Sequence, residues 1–118
     1  MIEFNDDAVG HDDVFNVRKA GVTMNQMRRL KQSKNHLCID LHGLSCKEAE
    51  SELEQQIHSG PSVLKIIHGK GYHSHDPIPK LKNMVFHLLH SHPKVIAFCS
   101  AKTNDGGSGV TYALIKKG

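Results

Sequence analysis

The chain has 118 residues, 38% of them hydrophobic, with a formal charge of +3 at pH 7, no Trp and three Cys. That length supports one small aliphatic core, and no apolar run approaches the roughly 20 residues that span a bilayer, so a soluble, cytoplasmic protein is expected. The charge is too small to argue for nucleic acid by itself, and Cys38, Cys46 and Cys99 form no C-x-x-C pair, which reads as free thiols with Cys38 and Cys99 buried in apolar runs.

Residues 1 to about 22 show no sustained periodicity and mix Asp with Gly. Residues 1–36 therefore read as an N-terminal arm, partly disordered, ahead of a folded domain at 37–118. Acidic residues gather early in the arm, at Glu3, Asp6, Asp7, Asp12 and Asp13, whereas Arg28, Arg29, Lys31 and Lys34 gather at its end. That polarity suits an anionic partner. Met24, Met27 and Leu30 have helical spacing, which predicts a short basic helix over about 23–32.

Leu37-Cys38-Ile39-Asp40-Leu41-His42-Gly43 reads as a strand that ends in a carboxylate and an imidazole two residues apart. Side chains alternate across a strand, so Asp40 and His42 share one face and Ile39 and Leu41 the other. Ser45 and Glu48 form an S-x-x-E capping box, and Ala49, Leu53 and Ile57 give an apolar stripe, so a helix follows and closes at Gly60-Pro61. Val63–Ile67 is a second strand; with a helix between them, the two strands should run parallel and set their carboxyl ends side by side. That places His68-Gly69-Lys70-Gly71 beside Asp40 and His42. After a polar loop, Asp76-Pro77 reads as the cap and first position of a second helix with Ile78, Leu81, Val85 and Leu88 facing the core. Val95–Cys99 is a buried third strand, and a loop containing Asp105-Gly106-Gly107-Ser108-Gly109 leads into a fourth at 110–115. The expected fold is α/β, a two-layer sandwich in the order βαβαββ with a mixed four-stranded sheet.

Three signatures stand in sequence: Asp40-Leu41-His42-Gly43-Leu44 running into Glu48-Ala49, then His68-Gly69-Lys70-Gly71 with His73-Ser74, then Asp105-Gly106-Gly107-Ser108-Gly109 before a strand. Together they resemble the small MutS-related (Smr) domain family, over about Leu37 to Lys117, and the Arg28, Arg29 segment resembles the lead-in of stand-alone bacterial members. The resemblance implies a fold like the C-terminal domain of translation initiation factor three and an endonuclease or nucleic-acid-binding role. Some members nick DNA and others cut mRNA at stalled ribosomes, so RNA or DNA is the implied partner, with the ribosome a further one. A monomer is expected.

Phosphodiester cleavage needs a base, an acid and positive charge at the phosphorane. On this reading Asp40 orients His42, His42 acts as general base, and Lys70 neutralises phosphate. His68 or His73 protonates the leaving oxygen, and the sequence does not choose between them. Gly69, Gly71, Gly107 and Gly109, with Ser108, would let backbone N–H groups approach phosphate oxygens. Arg28 and Arg29 would contact the strand. No metal or other cofactor is expected for RNA cleavage, while a divalent metal would serve if DNA were the substrate. The glycine runs fit neither a phosphate-binding P-loop nor a dinucleotide fingerprint, and Gly106–Val110 lacks the last Gly of G-x-S-x-G. A non-catalytic nucleic-acid-binding or ribosome-binding module is the other function class left open.

Overall fold

The computed structural model describes residues 8–34, 36–72 and 77–117. Strand β1 (Asn16–Arg18) and helix α1 (Met24–Gln32) precede β2 (Leu37–Asp40) and α2 (Cys46–His58). Strand β3 (Val63–Ile67), helix α3 (Lys80–Ser91), β4 (Val95–Ser100) and β5 (Val110–Ile115) complete the chain, with two short 3-10 turns at 103–105 and 107–109. The sheet order is β1-β4-β5-β3-β2; β2 and β3 are parallel and all other pairs antiparallel. The sheet is thus mixed, but it has five strands rather than the four expected.

The added strand comes from the arm. Its register sets Asn16 against Cys99 and Arg18 against Ala97, and Phe15, just before it, and Val9, further up the segment, are buried in the main core. At three residues with one apolar side chain, Val17, β1 carries too little pattern to read; its partner strand and the core decide its conformation. Residues 1–7 of the expected arm lie outside the described residues.

Local signals place the helices. Ser45 and Glu48 exchange side-chain and backbone hydrogen bonds at 3.1 and 3.0 Å at the start of α2, and Thr23 and Gln26 do the same for α1 at 3.1 and 2.7 Å. Helix α3 starts later than Asp76-Pro77 predicts, at Lys80 after Pro79. Ile78 precedes a proline and is held out of helical backbone, so the first turn forms beyond it. Ile78 is accordingly exposed, and Leu89 takes the buried position beside Val85 while Leu88 is half-buried. Asp76 itself lies outside the described residues.

The sheet separates two apolar clusters. Ala49, Leu53 and Ile57 of α2 and Val85 and Leu89 of α3 cover one face, meeting Ile39, Leu64 and Ile66. Full burial of Leu53 and Ile57 contributes about 1.5–3 kcal/mol each. Met27 and Leu30 of α1 cover part of the other face, over Ala97, Cys99 and Tyr112. That helix spans β4 and β5 and leaves the β2 edge open, which is why Cys38, expected to be buried, is exposed while Cys99 is buried.

Candidate active site

Asp40 is the last residue of β2 and pairs with Ile67, and the amide of Leu41 extends the ladder by donating to the Ile67 carbonyl at 2.7 Å. Leu41 is fully buried and anchors the strand end, while Gly43 at φ +87 turns the chain into α2. Between these fixed points Asp40 Oδ1 accepts the Nδ1–H of His42 at 2.5 Å and its backbone N–H at 3.1 Å. The side-chain bond from His42 is the main reason that the Asp40 carboxyl titrates below its usual range. With Nδ1 carrying the proton, the imidazole lone pair sits on Nε2, and the His42 side chain is 70% exposed. The pair is built to accept a proton from outside.

His68 has the opposite character. It follows Ile67, so alternation turns it away from Asp40 onto the α2–α3 face, where it is 3% exposed and lies beside Phe15. Nδ1–H donates to the Gly69 carbonyl at 2.8 Å, which leaves Nε2 to accept the Thr111 hydroxyl at 2.8 Å. Burial lowers its pKa to about 4, so the ring is neutral at pH 7 with both nitrogens engaged. The sequence reading of His68 as a proton donor gives way to one in which it holds the loop after β3 against β5. The alternation Leu64, Ile66, His68 carried that signal. His73, the other proposed donor, lies outside the described residues.

The glycine loops pack on each other. The amides of His68 and Gly69 both donate to the Gly109 carbonyl, at 3.2 and 2.9 Å, that of Gly107 to Lys102, and that of Gly109 to Gly106. A Cβ on Gly109 would stand 3.3 Å from Gly69 C, Lys70 N and Lys70 Cγ, so this glycine is required by close approach of two backbones. The amides of Gly69, Gly107 and Gly109 are therefore committed to the protein, not presented to a phosphate. Gly71 is equally confined, by Pro79 and by the ring of His11, and the Ser108 hydroxyl is spent on the His11 carbonyl at 3.2 Å.

Lys70, between those glycines, is half-exposed, 5.8 Å from the centre of the Tyr72 ring and 4.0 Å from Asp12. Asp12 also accepts the Tyr72 hydroxyl. It is delivered there by the N-terminal segment, whose carbonyls at Gly10, His11 and Asp13 all bind the ammonium of the buried Lys82, at 2.8, 3.0 and 2.5 Å. Burial lowers the Lys82 pKa to about 8. Asn83 completes the hold by bonding both backbone groups of Val9, each at 2.7 Å.

Arg28 and Arg29 are exposed on α1, the helix on the same sheet face as Asp40, and Arg28 donates to Asn25 at 2.8 Å. That face also holds a group that motif reading missed. Lys65 of β3 and Tyr112 of β5 stand opposite each other and both bind Asp105, Lys65 at 2.6 Å to Oδ1 and the tyrosine hydroxyl to Oδ2. Hydrogen bonding to Asp105 raises the Lys65 pKa. Among the described residues no third His, Cys, Asp or Glu joins Asp40 and His42 as a metal ligand; the one such cluster is Glu54, His58 and His92, at the far ends of α2 and α3. There the backbone N–H of Lys94 donates to His92 Nδ1 at 3.1 Å, which puts the proton on Nε2 toward Glu54, the tautomer that does not ligate through Nε2.

The Smr domain family model matches residues 39–116, from the core residue before Asp40 to the end of the last strand. The chain belongs to the Smr domain family. An endonuclease MutS2 of Synechocystis is 39% identical over 80 residues, which cover 66% of this chain and 9% of that protein, so the shared part is one small portion of a much longer relative. The Smr domain of Thermus thermophilus MutS2 superposes with a TM-score of 0.60 at 30% identity, over 68% of this Smr chain and 98% of that domain. YdaL, a stand-alone small MutS-related protein from Escherichia coli, superposes with a TM-score of 0.76 at 24% identity over 94% of this chain and 89% of its own, which shows a shared fold extending beyond the domain core. No helix among the described residues of this Smr protein is long and apolar enough to cross a membrane.

Proposed function

We propose that this Smr protein is an endonuclease that cleaves RNA by general-base catalysis, with Asp40 and His42 as the catalytic pair. The observation that carries the reading is the 2.5 Å bond from His42 Nδ1–H to Asp40, which leaves Nε2 available at an exposed strand end. His42 Nε2 takes the proton of a ribose 2′-hydroxyl, O2′ bonds to phosphorus, and the bond to O5′ breaks as that oxygen takes a proton from solvent. Asp40 stabilises the imidazolium that forms, and the Lys70 ammonium offsets charge on the phosphorane. His68 acts on this step only by holding the loop that carries Lys70.

The name of the MutS2 relatives supports endonuclease activity, and the family resemblance supports mRNA on stalled ribosomes as substrate, met by a monomer in the cytoplasm. The deciding experiment incubates the protein and its Asp40→Ala, His42→Ala variant with end-labelled RNA and DNA, with and without EDTA. EDTA-resistant RNA cuts with 2′,3′-cyclic phosphate and 5′-hydroxyl ends, lost in the variant, are the expected result. Unimpaired cleavage by the variant would refute the catalytic pair, and EDTA-sensitive DNA cuts would replace this reading by metal-assisted nicking. The 4.0 Å approach of Asp12 to Lys70 favours one alternative, a binding module whose loop cation is already partly balanced. Wild-type binding without cleavage of either nucleic acid would establish it.

A further inference from the structure

On the sheet face that carries Asp40, Lys34 and His36, which lie between α1 and β2, line a cavity of about 310 Å³ together with Lys65, Tyr112 and, from the loop before β5, Lys102 and Asp105. Its floor is fixed. Lys65 and Tyr112 are tied together through Asp105, whose two oxygens they occupy. Three lysines against one aspartate leave two positive charges, and the lysines at the rim, Lys34 and Lys102, are exposed. Neither has an ion-pair partner among the described residues.

His36 adds a second observation. Its ring stacks on Tyr112 with centroids 5.9 Å apart at 22°, and its Nδ1 is buried without a hydrogen-bond partner. An unsatisfied buried nitrogen is costly, and an acceptor atom entering the cavity removes that cost once Nδ1 carries a proton. The location is also specific. Cys38 pairs with Lys65, so along the shared face of β2 the Lys65 floor lies about 7 Å from Asp40 and His36, four residues before Asp40, about 13 Å from it at 3.3 Å per residue.

We infer that this cavity is a subsite for a phosphate of the substrate strand, further along the strand from the phosphate presented to His42, with Lys34 and Lys102 as its charged rim and His36 Nδ1–H as a donor. The inference rests on a nucleic-acid substrate for the Asp40–His42 pair and adds to it where the neighbouring part of the strand lies. A donor-rich, doubly positive rim fits the acceptor oxygens of a phosphate, and the proximity to Asp40 fits a strand rather than an isolated anion.

The test measures anisotropy of a short fluorescein-labelled oligoribonucleotide with the full chain over a range of salt, for wild type and Lys34→Gln, Lys102→Gln. Both substitutions are on exposed side chains, and circular dichroism checks the fold. Expected are binding about tenfold weaker and a log–log salt slope shallower by about 0.7, the share of one single-strand phosphate contact. Cleavage of a dinucleotide, whose single phosphate is the scissile one, stays unchanged. Wild-type binding with affinity and slope unaltered in the variant would overturn the subsite while leaving the nuclease reading in place. Failure of the wild type to bind RNA or DNA would overturn both. Inorganic phosphate titrated alone, followed by the ring signals of His36, separates the sources: a His36 response with unaltered strand binding would assign the cavity to free phosphate and overturn the strand subsite.

Discussion

Asp40 and His68 stand on opposite faces of one sheet, although the ladder sets Asp40 beside Ile67, the residue just before His68. Alternation across a single peptide unit therefore sorts the two chemistries: an exposed imidazole–carboxylate pair on one side and a buried neutral histidine on the other. Asp40→Asn tests the exposed side. The amide keeps the shape of the carboxylate but loses the charge that stabilises protonated His42. Cleavage should fall by about 10²–10⁴ in kcat, the range for a general base, with RNA affinity unchanged by anisotropy. An equal loss of binding would mean that the pair grips substrate instead of reacting with it.

The buried side has a signature in stability. His68 titrates near 4 in the fold and near 6.5 when unfolded, so between these values the unfolded chain binds the extra proton. Stability attributable to His68 is then complete above pH 6.5 and is lost as pH falls toward 4, by about 2 kcal/mol between pH 7 and pH 5. Urea denaturation at these two pH values should show that loss, and His68→Gln, which cannot titrate, should flatten it. A variant with the wild-type slope would place the pH sensitivity elsewhere.

How far the sequence could be read depends on how far apart the deciding contacts lie. The Ser45–Glu48 box, the turn at Gly43 and the alternation through Asp40 involve neighbours and are visible in a short window, so the parallel pair and its polar end are legible. Strand β1 and the N-terminal segment are not, because what orders them is Lys82, 69 to 72 residues away, and Asn83, 74 residues away. The Lys65–Asp105 pair is hidden for the same reason, being 40 residues apart and joined only when β5 inserts beside β3. Motif reading also took the glycine loops as open donors, since it cannot see that the Gly69 and Gly109 amides are spent on neighbouring carbonyls.

Gly109→Ala tests that packing. The residue's φ is not in the left-handed region, so the cost comes from space: the new methyl meets backbone atoms of Gly69 and Lys70 at 3.3 Å. The two loops must part by a few tenths of an ångström, which should lower stability by about 1–3 kcal/mol, as for an overpacked core. Because Lys70 moves with its loop, cleavage should drop by more than the fraction unfolded explains. Comparing kcat at a temperature where both proteins are fully folded by circular dichroism checks this.

Lys82→Met tests whether the N-terminal segment belongs to the folded unit. Lys82 is fully buried, and its ammonium is the common partner of three carbonyls, at Gly10, His11 and Asp13. Met preserves the apolar stem but supplies no donor, so those carbonyls regain partners only by turning to water. The segment should detach from α3 and withdraw Asp12 from Lys70 and Tyr72. Hydrogen exchange of residues 9–15 should accelerate while the β3–β5 ladder stays protected, with a global loss of about 1–3 kcal/mol in urea. Exchange that accelerated uniformly would show that the ammonium supports the whole core, and unchanged exchange in the segment would show that Asn83 alone suffices to hold it.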